Sequence, residues 1–206
     1  MKISYAITVC NEFVEIQKLL TFLIKNKRIQ DEIVVLYDSI NGDPEVEAYL
    51  RSHSENNVFK FHKGEFKGHF ADWKNQLNTL CNGDFIFQVD ADEMLTTYIL
   101  DMLPEVLKHN DVDIFKVPRI NTVDGLTQDH IQKWRWHVNE QGWVNYPDYQ
   151  WRIYRNDSKI RWMNKVHEVL TGYKTMAYLP KEKEWSILHP KTIERQEKQN
   201  NFYEKL

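Results

Sequence analysis

The sequence has little cysteine and little glycine. Its two cysteines, Cys10 and Cys81, stand far apart and in no CxxC pattern. A disulfide framework is therefore not expected, and a reducing compartment fits better. There is no Gly-x-Gly-x-x-Gly, no Gly-x4-Gly-Lys-Ser/Thr and no His-Glu-x-x-His. This excludes the sequence signatures of dinucleotide-binding dehydrogenases, P-loop enzymes and zinc metalloproteases. No apolar run approaches the roughly 18 residues of a membrane span. The opening MKISYAITVCNEF has too short an apolar stretch for a signal peptide. A soluble, cytoplasmic protein without a transmembrane segment is expected, with any membrane contact peripheral. The formal net charge is only −3, which points away from nucleic acid as a partner.

What is present is enough apolar material for a sizeable core, 42% of 206 residues. Ile3 to Val9 reads as a buried strand. Asn11 and Glu12 then open a helix whose apolar positions Phe13, Ile16, Leu19, Leu20, Leu23 and Ile24 keep helical spacing. Further strands are expected at Ile33–Tyr37, Val58–Phe61 and Phe85–Val89, and another near Asp113–Val117. Helices are expected between them, marked by the segment after Asp38, by Phe70, Trp73, Leu77 and Leu80, and by Ile99 to Leu107. Strands alternating with helices over residues 1–118 imply βαβ units and a mainly parallel sheet. Residues 119–206 are expected to add a smaller, antiparallel or irregular region and a polar, helical tail. The whole is expected to be one domain, 1–206.

In a parallel α/β sheet, ligands bind beyond the carboxyl ends of the strands. Here the first strand leads into Asn11 and Glu12, the second ends at Asp38, and the fourth ends in VDADE, with Asp90, Asp92 and Glu93. Asp-x-Asp at a strand end directs hard oxygen ligands to one point and suits Mg2+ or Mn2+. The same short motif is also what solvated acids capping a following helix look like. The convergence of three strand ends on one rim favours the ligand reading.

These residues resemble family-2 glycosyltransferases with the nucleotide-sugar-binding GT-A fold. The resemblance rests on ITVCNE (7–12), the strand ending at Asp38, the helix with Asn75, GDFIFQVDADE (83–93) and YPDYQWRIYRNDSKIRWMNKVHEVLTG (146–172). The DADE form is similar to the branch that includes lipopolysaccharide-core glucosyltransferases. The resemblance implies that residues 1–118 bind the donor and 119–206 face the acceptor. Thr8, Asn11, Glu12, Asp38, Asp90 and Ala91 would lie near the nucleotide sugar. Asp92 and His167 would hold Mn2+ or Mg2+, with His189 a second histidine candidate. Asp148 stands about where the family's base does. The usual Glu-Asp pair is replaced by Pro147-Asp148, so Glu168 is its rival. The implied reaction is inverting transfer from a nucleotide-diphosphate sugar, UDP-glucose first, to a glycan, glycolipid or glycoprotein. A carboxylate must take the acceptor's proton, and a cation must offset charge on the leaving diphosphate.

Three other readings stay beside this one. Lys74 is either a phosphate contact or an ordinary helix-surface lysine. Trp134, Trp136, Trp143, Trp151 and Trp162 either pack the core or stack on sugar rings; most are expected in the core, with Trp134 or Trp136 near the acceptor. The alternative functions are a non-catalytic carbohydrate-binding domain and a sugar nucleotidyltransferase. The latter lacks its Gly-rich, basic loop here, since Cys10-Asn11-Glu12-Phe13 follows the first strand.

Overall fold

The structure, a computed structural model, describes residues 1–56 and 58–203. The last residues of the tail expected to be helical, 204–206, lie outside the described residues. The chain alternates in its first half: β1 (Ile3–Val9), α1 (Phe13–Asn26), β2 (Glu32–Asp38), α2 (Pro44–Ser54), β3 (Lys60–Gly64), α3 (Phe70–Asn78), β4 (Phe85–Asp90) and α4 (Thr97–His109). Then come β5 (Ile114–Asp124), α5 (Gln128–Trp134), β6 (Val144–Arg155), β7 (Arg161–Met163), β8 (Val169–Thr171), β9 (Met176–Tyr178), β10 (Ile187–Thr192) and α6 (Ile193–Tyr203).

The main sheet runs β10-β5-β6-β4-β1-β2-β3, with β9 also paired to β5. Strands β4, β1, β2 and β3 are mutually parallel. The central strands are buried on both faces, so their apolar residues run on without alternation. One core lies on the side of α1, α2 and α4, where Ile16, Leu19, Leu20 and Leu23 of α1 have no exposed surface. At roughly 1.5–3 kcal/mol per buried aliphatic side chain, that stripe is enough to dock the helix. The second core, on the opposite face, gathers Trp73 and Leu77 of α3 with Trp162 of β7 and Leu170 of β8.

Two expectations need correction. β3 starts at Lys60 rather than Val58, because pairing with β2 sets its register from Val34↔Lys60 to Asp38↔Gly64. β5 runs on to Asp124, far past Val117, because β6 and β10 flank its second half. The second half adds to the same sheet and core, as expected. β6 enters the main sheet antiparallel between β5 and β4, and β9 and β10 return to it parallel to β5. The small antiparallel sheet is the pair β7–β8. Among the described residues, no helix is long and apolar enough to cross a membrane.

Candidate functional site

A cleft of about 1420 Å³ opens at the carboxyl edge of β1, β2 and β4. Thr8, Asn11, Glu12, Asp38, Lys74, Asp90, Ala91, Asp92, Trp136, His167, Glu168 and His189 all line it. Among the sequence-derived candidates, Asp148, Trp134, Glu93 and Trp143 do not line it.

Local structure explains each placement. Asp38 ends β2 and is buried; its Oδ1 accepts from the Ile40 and Phe66 amides, and its Oδ2 from Asn41 Nδ2. Gly42 makes that turn possible: a Cβ there would stand 2.2 Å from the Asp38 carbonyl oxygen. Glu12 folds back on its own loop, accepting from the amides of Cys10 (2.9 Å) and Asn11 (3.1 Å). Burial, and after it the negative charge of Asp92, pushes the Glu12 carboxyl up, against the pull of the Cys10 amide and Arg195.

The acids after β4 have separate fates. Glu93 has no exposed side-chain surface, and its Oε1 accepts from Arg152 (2.6 Å) and Arg119 (3.2 Å). Its Oε2 accepts from the Asp90 amide. It is a buried counter-charge that ties the turn together. Asp90 pairs with Arg152 at 2.5 Å. Burial opposes its ionisation, yet Arg152 and Lys74 hold its carboxyl below the ordinary value. Asp92 points the other way. Its Oδ2 lies 3.3 Å from His189 Nε2 and 3.5 Å from Arg195. Burial is again the largest influence and raises its pKa, but His189, Lys191 and Arg195 outweigh it, so Asp92 is ionised well below the usual range.

The histidine touching Asp92 is thus His189, on β10. A reciprocal bridge, Met94 N to Leu188 O and Leu188 N to Met94 O, both 2.8 Å, clips the turn after Asp92 to that strand. His167 sits across the cleft in the β7–β8 loop, with a left-handed backbone (φ 55°). That loop packs on α3: Lys165 O accepts from the Phe70 amide. Glu168 pairs with Lys74 at 3.0 Å. Lys74 also lies 4.5 Å over the Trp162 ring, so it is a cleft residue and not a surface one.

Asp148 is enclosed by partners. Oδ2 accepts from Arg119 (3.0 and 2.7 Å) and Asn121 (2.9 Å), and Oδ1 from Gln150 (2.6 Å). Against its burial, these hold its pKa below the ordinary value.

Of the tryptophans expected mostly in the core, Trp162 alone among those five is buried. Trp134, Trp136, Trp143 and Trp151 are half-buried. Short α5 buries no residue, so its aromatics stack on one another instead: His130 on Trp134 at 5.1 Å, Trp134 against Trp136 at 4.7 Å.

Sequence reasoning missed Arg119, Asn121, Arg152, Lys191 and Arg195. Lys191 and Arg195 follow His189 within HPKTIER, the signal available for them. Arg195, at the start of α6, reaches Glu15 (2.5 Å), Glu12 (3.6 Å) and Asp92. Burial lowers the Lys191 pKa, with Asp92 raising it. Among the described residues, no group of three or more His, Cys, Asp or Glu surrounds a single point. The Asp92–His189 spacing is nevertheless what two ligands about 2.1 Å from one small cation adopt.

A family model described as Glycosyl transferase family 2 matches residues 4–188. No curated protein sequence matches the chain significantly. Among solved structures, the crystal structure of S. aureus TarS 1–349 is similar at 16% identity, with a TM-score of 0.63, over 92% of this chain and 60% of that one. The same fragment in complex with UDP-GlcNAc gives 16%, 0.64, 92% and 58%. In complex with UDP it gives 15%, 0.64, 92% and 60%. The chain thus spans about three-fifths of these chains, and the likeness is one of fold, the GT-A arrangement.

Proposed function

The chain belongs to glycosyl transferase family 2, and from that membership we propose an inverting, metal-dependent transferase. It would move a sugar from a UDP-sugar to a glycan, glycolipid or glycoprotein acceptor. The observation that carries this is the meeting of Asp92, His189, Lys191 and Arg195 at one point of the cleft, beside the ends of β1 and β4. Support for the nucleotide comes from the similar fold seen with UDP-GlcNAc and UDP.

In this reading Asp92 and His189 are the protein's ligands to Mn2+ or Mg2+, and His189 takes the role expected of His167. When bound, the cation offsets negative charge on the departing nucleoside diphosphate. Lys191 and Arg195 add fixed positive charge beside the same phosphates. Thr8, Asn11, Asp38, Asp90 and Ala91 line the donor side. Glu168 is the base we favour over Asp148. It faces the cleft, whereas the oxygens of Asp148 are engaged by Arg119, Asn121 and Gln150. Its task is to accept the proton of the attacking hydroxyl within hydrogen-bond reach. Trp136, backed by Trp134, offers an aromatic face at the mouth where an acceptor sugar can stack.

Thermal unfolding with a panel of nucleotide sugars tests this. A ligand at about 100 times its Kd stabilises the folded state by about 2.7 kcal/mol. One UDP-sugar should raise the melting temperature with Mn2+ and not with EDTA, and Asp92→Ala and His189→Ala should each abolish the rise. Glu168→Gln should keep the rise and lose turnover. A metal-independent rise, or one that survives Asp92→Ala, rejects the metal assignment.

A further inference from the structure

Asn121 stands on β5 opposite His189 on β10, in register across the parallel pair. Its Nδ2 donates to Asp148 Oδ2 at 2.9 Å, and its Oδ1 lies 2.7 Å from His189 Nδ1. The amide cannot turn over without cost. Turned, its oxygen would face the carboxylate of Asp148, which already accepts two hydrogen bonds from Arg119. With the amide so fixed, Oδ1 can only accept, and His189 Nδ1 must carry a hydrogen. In the neutral ring, Nε2 is then the bare nitrogen, and it faces Asp92 Oδ2 at 3.3 Å. In that neutral form two acceptor atoms face each other in a nearly buried pocket, an arrangement satisfied by either a proton on Nε2 or a cation held between them.

We propose that Asn121 is a positioning residue that fixes the Nδ1–H tautomer of His189 and so keeps Nε2 available, with Asp92, for a divalent cation. The proposal rests on the reading of Asp92 and His189 as a metal pair. Hydrogen-bonded partners of this kind orient metal-binding histidines and typically contribute about 10–100-fold to metal affinity. The chain Asp148–Asn121–His189–Asp92 also joins the acceptor-side carboxylate to the ligand pair through side chains alone.

The test uses the metal-free protein labelled with 15N-histidine, with His189→Gln assigning the signal, and Mn2+ uptake followed by electron paramagnetic resonance. Two variants of similar size give opposite expectations. Asn121→Asp still accepts from Nδ1 and should keep the Nδ1–H form, with Mn2+ affinity within threefold of wild type. Asn121→Leu accepts nothing and should shift the neutral ring to Nε2–H, with affinity at least tenfold weaker. A residue that merely braced Asp148 would give the reverse order, since a second carboxylate beside Asp148 repels it. Nε2–H in the wild-type neutral ring, or unchanged Mn2+ affinity in Asn121→Leu, overturns the proposal. Absence of any Mn2+ uptake by wild type refutes instead the metal pair beneath it.

Discussion

Glu93 carries its carboxylate into the protein with no exposed side-chain surface, and the guanidinium groups of Arg152 and Arg119 are what make that tolerable. Such buried, paired charges are indistinguishable in sequence from solvated ones, so the arginines behind the site were not legible. Glu32 shows the same logic at the opposite edge of the sheet. It accepts from Lys2 (2.7 Å), Lys60 (2.8 Å), Ser4 (2.6 Å) and the Asn82 amide (2.5 Å). Burial works against its ionisation, but the two lysines, Ser4 and Asn82 lower its pKa from 4.5 to about 2. A carboxyl depressed on folding contributes stability that is full above its unfolded pKa and is lost as pH falls toward the folded one. Both lysines are partly exposed, so screening reduces the contribution to roughly 2 kcal/mol. Urea unfolding should therefore show Glu32→Gln less stable than wild type by about that amount at pH 7. The gap should narrow steadily as pH falls from 4.5 toward 2. A gap independent of pH would show that packing, not charge, explains the loss.

Among elements, those of the first half were legible because strands buried on both faces, such as Phe85–Asp90, read as apolar runs broken by amphipathic helices. The return of β9 and β10 to β5 was not legible. It depends on pairing across some 60 residues, and Ile187–Thr192 carries a histidine, a proline and a lysine in six positions. That pairing decides the site, because register with Asn121 brings His189, not His167, to Asp92. The family resemblance points to His167 through its place in the stretch 146–172, which says nothing of what lies across the sheet. Helix α6 is a different kind of element. None of residues 193–200 is buried. Polar contacts attach it: Arg195 to Glu15, Glu197 to His130, and Gln199 to Lys191. Contacts of this sort are weak and screened by salt. Amide hydrogen exchange should find α6 far less protected than β1 and β4, and raising NaCl from 0.05 to about 0.5 M should speed exchange in α6 alone. Slow, salt-insensitive exchange in α6 would contradict this.

For the whole molecule, residue 118 does not separate two folding units. β5 crosses it, and β6 inserts between β5 and β4. Ile153 of β6 pairs with both Phe87 and Phe115 and has no exposed surface. Ile153→Ala should cost about 2–5 kcal/mol and lower both halves together in one transition. Separate transitions by tryptophan fluorescence and far-ultraviolet dichroism would show two units instead. One sheet thereby brings the turn after β4 and strand β10 to a single rim, where Asp92 and His189 meet. An anomalous difference map at the manganese edge, from crystals grown with Mn2+ and UDP, examines that rim directly. The account predicts one peak within about 2.3 Å of both Asp92 Oδ2 and His189 Nε2, touching the diphosphate. UDP bound in the cleft with no manganese between those two side chains would contradict it.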